Sequence, residues 1–505
     1  MLWERYRVLP EWELCEAACR TPAPKTIRTF PSRLPDAELL RRLRVQGFAL
    51  EAVPFPPHVY RVVDEPFPVG KTLEHWLGYF YAQESVMALV AYALLDGTDA
   101  RVVADLCAAP GGKTTHLSEL LPEGTVVAAD TSERRLRALS SNLQRTGRLN
   151  VLVFRADGRS FPLGAVFDAV LVDAPCSAEG NARDDPRVLR DLPEATRRRL
   201  SRLQEALLRR ALRLVRPGGV VVYATCTFAP EENEAVVDRV LSERPDFSVE
   251  PLSLPVPHAQ GLAEFRGRRY DPRLRDAWRV YPHHLDSGGL FVVRLRRAGI
   301  EQAEWASPPL VHPSARIPEK EAYRRVERAV RLVIDDLGVA PHHLQAVRWM
   351  VAGKHLWLHL CGAWPPARWE PGQRWELVGC GLRAFARWGR GEERPTSWLL
   401  QWLGDRVQNR LDLHRDQWDR LLAGQTVAVS RPTGFVALSF QGEVLGAGLV
   451  RAGQVRHLIP AERARQLREA LSLRAPFLAG TPTRPWLGGQ DSNLGRRIQS
   501  PGSYR

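Results

Sequence analysis

Two cysteines in this 505-residue chain stand where a thiol could do chemistry. Cys226 follows a strand-like run and precedes a proline-led acidic segment in VVYATCTFAPEENEAVV, and Cys176 follows Asp173 and Pro175 in VLVDAPCSAEG. A single cysteine is most often a plain core residue. Two at the ends of adjacent strands, one directly after Asp-Ala-Pro, point instead to covalent catalysis by a thiolate. Because a free thiol has a pKa of about 8.5, the thiolate needs support. Pro230 suits the first turn of a helix, whose positive end would favour an anion at Cys226. Glu231 and Glu232 would oppose that effect in part while favouring the helix itself.

A third constellation is the loop in DLCAAPGGKTTHL. Gly112, Lys113 and Thr114 fit the end of a P-loop, but Cys107 stands where its first glycine belongs, and the dinucleotide fingerprint G-x-G-x-x-G is missing. What remains is a turn whose small residues Ala108, Ala109, Gly111 and Gly112, with Cys107, Pro110 and Lys113, let a ligand approach backbone at a helix start. Asp130 closes the next strand, where an acid accepts from both hydroxyls of a ribose. Asp157, before Gly158, can accept from an adenine amino group. Any one of these acids could merely cap a helix; together with the loop they describe a site for S-adenosylmethionine, a nucleoside cofactor with no phosphate to cradle.

The elements that must position these residues are legible as alternation. From Val102 onward, near-continuous apolar runs (RVVADLC, TVVAAD, VLVFRAD, FDAVLVDAP, GGVVVYATC) are separated by amphipathic helical patterns. That pattern predicts a parallel sheet covered on both faces, the doubly wound or Rossmann-like α/β class. Such sheets bind ligands at the carboxyl ends of their strands, where Asp105, Asp130, Asp157, Asp173 and Cys226 all fall. Residues 1–90 read as a small α+β domain and 91–299 as the catalytic domain. The proline-rich ASPPLVHPSARIPEK marks a boundary, 300–475 form a third region rich in Trp and Arg, and the Gly/Pro/Ser/Arg-rich 476–505 read as a disordered tail.

The thiols and the acid fit one reaction. Carbon 5 of cytosine is a poor nucleophile, but a thiolate adding to carbon 6 turns the ring into an enamine that can attack a sulfonium methyl. An acid at N3 would stabilise the charge that builds there, and Asp173 is the candidate. The set DLCAAPGGKT, DAPCSAEG and YATCTFAPEENE closely resembles the RNA cytosine-C5 methyltransferases of the Sun-domain superfamily, with QESVMALVAYALL and YPHHLDSGGLFVVRL matching flanking elements. The resemblance covers about 25–298. It implies that Cys226 is the nucleophile and that Cys176 assists product release. It also implies that Cys107 to Lys113 hold the cofactor, with Asp130, Asp157 and Asp173 around it, and it matches Arg135 to a recurrent basic position.

The third region resembles, more loosely, the RNA-binding part of bacterial RsmF-type enzymes of small-subunit ribosomal RNA, through GEVLGAGLVRAGQVRHLIPAERARQL, a strand pair, turn and short helix of PUA-like kind. A formal charge of +14, with nearly all of the 71 basic residues arginine, suits a polyanion partner, although a solvated Arg-rich surface accounts for it equally. Most tryptophans there are expected to pack a core. The expectation is a monomeric cytoplasmic enzyme acting on ribosomal RNA or the small subunit. Transfer RNA is the nearest alternative substrate, and a non-catalytic RNA-binding assembly factor is the alternative class, disfavoured by the intact thiols and loop. No apolar run is long enough to span a bilayer, and the charged first twenty residues read as neither signal nor anchor. The seven cysteines include no C-x-x-C pair and no zinc spacing with histidine, so no metal is expected.

Overall fold

The computed structural model describes residues 2–161, 164–189, 192–301, 306–311, 317–364, 375–388 and 392–474. The expected tail over 476–505 lies outside the described residues. The chain opens with an antiparallel four-stranded sheet: β1 (Thr26–Thr29), β2 (Ala49–Ala52), β3 (Val59–Asp64) and β4 (Phe80–Ala82), in the order β2, β3, β1, β4.

The doubly wound sheet follows. Its parallel centre comprises β5 (Val102–Asp105), β6 (Thr125–Asp130), β7 (Val151–Ala156), β8 (Phe167–Asp173) and β9 (Val215–Thr225), ordered β9, β8, β5, β6, β7. Strand order reverses between β5 and β8, which opens the crevice where such sheets bind ligands. The apolar runs form strands because both faces are covered. Val103, Val126, Val153, Leu171 and Val222 pack on one side under the helices Ser85–Leu95, Gly112–Leu120 and Glu133–Thr146. Ala104, Val127, Phe154, Val172 and Tyr223 pack on the other against Leu208, Ala211 and Leu212 of the helix Glu194–Leu214. Each strand thus spends its two-residue period on two separate cores.

Beyond β9 the sheet continues antiparallel through Leu290–Arg297 and Trp278–Val280. At the far edge, β7 pairs antiparallel with Trp375–Cys380, a strand from beyond the proline-rich boundary. The five-stranded sheet near the C-terminus includes Gly434–Phe440, Glu443–Arg451 and Gln454–His457, followed by the helix Ala461–Arg474. Leu438 of this sheet, Leu467 of that helix and Trp418 of the helix Arg415–Leu422 share a core with Ile27 and Phe80 of the N-terminal sheet and Leu39 of its helix Asp36–Val45. Among the described residues, no helix is long and apolar enough to cross a membrane.

Candidate active site

The loop after β5 is shaped by one glycine. Gly111 takes φ 110°, which an L side chain rarely adopts, and a Cβ there would stand 2.8 Å from Leu139 Cδ1. The helix Gly112–Leu120 starts directly after it. Arg28, buried beneath this turn, donates to the Gly112 carbonyl (3.0 Å), to Thr115 Oγ1 (2.8 Å) and to Gln83 Oε1 (2.9 Å). The N-terminal sheet therefore braces the loop, a contact between residues 84 apart in sequence that no local pattern announces.

The strand ends converge on a cavity of about 800 Å³ lined by Leu106, Cys107, Asp130, Asp157, Gly158 and Pro175, with Arg198, Arg199 and Arg202 also in its wall. Asp130 is buried; its Oδ1 accepts from the Ser132 amide (2.9 Å), and Arg135 Nη1 lies 3.3 Å from Oδ2. Arg135 also donates to the Ala109 carbonyl, tying the loop to this acid. Asp157 plays the capping part as well: it accepts from the Arg159 amide (2.9 Å) and is gripped by the Arg159 guanidinium (2.6 Å), which holds its carboxyl below the ordinary range. Burial first, then Asp105, Asp173 and Asp130, push the Cys107 thiol well up, so this cysteine lines the cavity as a neutral group.

Asp173 and the two thiols stand at the next two strand ends. Lys113 Nζ donates to Asp173 Oδ2 at 2.7 Å. Burial works against the ammonium, but Asp173 outweighs it and Lys113 stays charged, with Cys226 adding to the same effect. Cys176 Sγ lies 3.4 Å from Cys226 Sγ, and Ser177 Oγ lies 2.6 Å from Thr227 Oγ1, so the two loops face each other residue for residue. The hydrogen bond to Cys226, followed by burial, pushes the Cys176 thiol well up.

The segment after Cys226 departs from the expected helix start. The helix there is Glu234–Leu241, and Pro230 to Asn233 form a turn closed by the Asn233 amide on the Pro230 carbonyl. The reason lies in the side chains: Asn233 Nδ2 donates to the Thr227 carbonyl (2.9 Å) and its Oδ1 accepts from Thr225 (2.6 Å), a local bonding pattern that competes with helix. Cys226 is therefore not at a helix N-terminus. Nor do the acids simply favour the helix: Glu232 Oε2 accepts from the Ser177 amide (3.0 Å) and from Gln204 Nε2 (2.8 Å), while Glu231 pairs with Arg5 (2.6 Å). Glu179 accepts from Tyr6 (2.7 Å) and Thr227 (2.9 Å). Tyr6, Glu179, Gln204 and Glu232 clamp the thiol loops. The motifs DAPCSAEG and APEENE contain Glu179 and Glu232, whereas Tyr6 and Gln204 lie in no motif.

The family model for 16S rRNA methyltransferase RsmB/F matches residues 92–296. The Ribosomal RNA small subunit methyltransferase F of Aeromonas hydrophila is 31% identical over 473 residues, covering 89% of this chain and 93% of that one. The chain belongs to the RsmB/F family. The protein of the same name from Escherichia coli K12 is 33% identical over 355 residues, covering 68% of this chain and 71% of that one. A solved methyltransferase homologue from Pyrococcus horikoshii superposes with a TM-score of 0.51 at 30% identity, covering 58% of this chain and 93% of that one.

As a member of this family the protein uses S-adenosylmethionine, and its cavity fits that group. The volume lies in the range of small-molecule sites. Its floor is small: a Cβ at Gly158 would stand 2.8 Å from Leu207 Cδ2 and 2.9 Å from the Leu106 carbonyl. Buried Asp130, in the cavity wall, offers an acceptor to ribose hydroxyls.

Proposed function

We propose that this enzyme methylates carbon 5 of cytosine in small-subunit ribosomal RNA through a covalent bond between Cys226 and carbon 6. The 3.4 Å approach of Cys176 to Cys226 carries the reading. Cys226 as thiolate adds to carbon 6, and a hydrogen bond from the protonated Cys176 stabilises that sulfur both as nucleophile and, later, as leaving group. Asp173, anchored by Lys113, faces N3, and the acid–ammonium pair offers a proton to the charge that develops there. Bound S-adenosylmethionine supplies an electrophilic methyl group to the activated carbon 5. A water then takes the carbon 5 proton, the electrons of that C–H bond re-form the carbon 5–carbon 6 double bond, and Cys226 leaves as thiolate.

On this reading Cys107 to Lys113, Asp130, Arg135, Asp157 and Asp173 hold the cofactor. Residues 1–90 and the PUA-like 300–475 bind the RNA that the catalytic part, 91–299, modifies, in a cytoplasmic monomer. The ribosomal substrate is supported by the names of the relatives and by the charge of +14.

Small subunits lacking the modification, incubated with the protein and methyl-labelled cofactor, should take up label in their RNA. Cys226→Ala should abolish transfer, and Cys176→Ala should accumulate a protein–RNA adduct that survives denaturing electrophoresis. An active Cys226→Ala variant, or an adduct formed by it, would reverse the two roles. Label entering transfer RNA alone would replace the substrate.

A further inference from the structure

The strand His355–His359 ends beside the corner where Trp375–Cys380 turns away from β7. His359, Cys361 and Cys380 meet there, 0%, 0% and 1% exposed, with one ligand atom of each lying within 4.8 Å of the others. Sequence spacing hides this set, because Cys380 reaches the other two only through strand pairing. Neither ring nitrogen of His359 has a hydrogen-bond partner. Buried imidazoles normally have at least one, since desolvating both without return is costly. Cys361 Sγ donates a long hydrogen bond of 3.8 Å to the Leu149 carbonyl.

We propose that His359, Cys361 and Cys380 bind a zinc ion that fastens the C-terminal region to the β7 edge of the catalytic sheet. Two thiolates and a neutral imidazole cancel the charge of a divalent cation, which matters in a site closed to water. Sulfur and imidazole donors select zinc over magnesium or calcium. Zinc bonds of about 2.3 Å to sulfur and about 2.0 Å to nitrogen set tetrahedral ligand atoms about 3.5 Å apart, so the cluster, on tightening, supplies three of the four positions and the Leu149 carbonyl beside Cys361 is the oxygen placed to supply the fourth.

The surrounding backbone is built for the corner. Gly381 takes φ 61°, and a Cβ there would stand 2.9 Å from His359 Cβ and 2.4 Å from the Leu358 carbonyl. Its amide donates to the Val151 carbonyl (2.8 Å) and its carbonyl accepts from Gln144 Nε2 (2.9 Å), while the Leu360 amide donates to the Leu149 carbonyl (3.0 Å). The ligands therefore hang from backbone that the catalytic sheet and its helix hold on three sides. A Cys361–Cys380 disulfide is the competing use of the two sulfurs, but it would leave both nitrogens of His359 unpaired.

The full-length protein, purified without chelators or metal-affinity resin and then incubated with zinc and desalted, should carry about one zinc per chain by elemental analysis. Cobalt substitution should give a thiolate charge-transfer band. The Cys176→Ala/Cys226→Ala double variant should retain the metal, and Cys361→Ala/Cys380→Ala should lose it. His359→Asn, which keeps both thiols, should weaken retention against a competing chelator at least roughly tenfold. Wild-type protein without zinc, an intact Cys361–Cys380 disulfide by mass, or zinc retained by Cys361→Ala/Cys380→Ala overturns the proposal. The wild-type measurements hold even where a variant fails to fold.

Discussion

Burial sets the protonation of the groups behind the cofactor loop, and it does so most strongly at Asp105. Its carboxyl, fully buried, is pushed up to about 7 by desolvation, against the hydrogen bond from Thr114 Oγ1 at 2.7 Å. An unfolded aspartate titrates near about 3.9, so the native state binds the extra proton between the two values. Stability from this group is present at low pH and is lost as pH rises through about 7. Asp105→Asn, which can still accept from Thr114, removes the titration. The melting temperature of the variant relative to wild type should therefore rise between about pH 5 and about pH 8; a flat or falling difference would contradict the assignment. Asp105 was legible as a strand-end acid, as were Asp130, Asp173 and both thiols, because apolar runs announce where strands stop. Arg28, Tyr6 and Gln204 were not, since their partners lie across the fold and an arginine or glutamine in isolation carries no address.

The two thiol loops depend on backbone approaching backbone. A Cβ at Gly180 would stand 2.6 Å from the Gly289 carbonyl and 3.0 Å from the Cys226 carbonyl, which itself accepts from the Gly180 amide at 2.8 Å. Neither oxygen can give way without moving its loop. Gly180→Ala should thus displace Cys226 while leaving the cofactor cavity, which Gly180 does not line, unaffected. Displacement of a reacting group by about 1 Å costs about 100-fold in rate. Single-turnover methyl transfer should fall by that order with the dissociation constant for cofactor unchanged by calorimetry. A parallel loss of cofactor binding would show a general collapse of the loops instead. At this scale the alternation of strand and helix was readable because each strand is buried on both faces. The turn at Pro230 was not, because a proline followed by acids has the composition of a helix start, and only the bonds of Asn233 to Thr225 and Thr227 divert it.

Across the whole molecule, the proline-rich segment near residue 300 looks like a hinge in composition, yet packing runs past it. Trp375–Cys380 extends the catalytic sheet, and Trp418 shares a core with Phe80. Periodicity within a segment says nothing about which sheet edge a later strand will join, which is why this continuity could not be read from the chain. It joins the C-terminal region to the sheet that carries the thiols. On the surface of that region Arg451 and Arg456, both exposed, lie 5.2 and 5.9 Å over the half-buried Trp388 ring. An arginine pair on an aromatic face suits phosphate contact beside a stacked base. Each phosphate contact contributes about 0.7 to 0.9 to the slope of log affinity against log salt. Arg451→Glu/Arg456→Glu should weaken RNA binding and flatten that slope by about 1.5, while the single-turnover rate at saturating RNA stays at the wild-type value because neither side chain approaches the cavity. An unchanged slope would move the RNA path away from Trp388, and a lost single-turnover rate would mean that this surface shapes the catalytic site as well as holding the substrate.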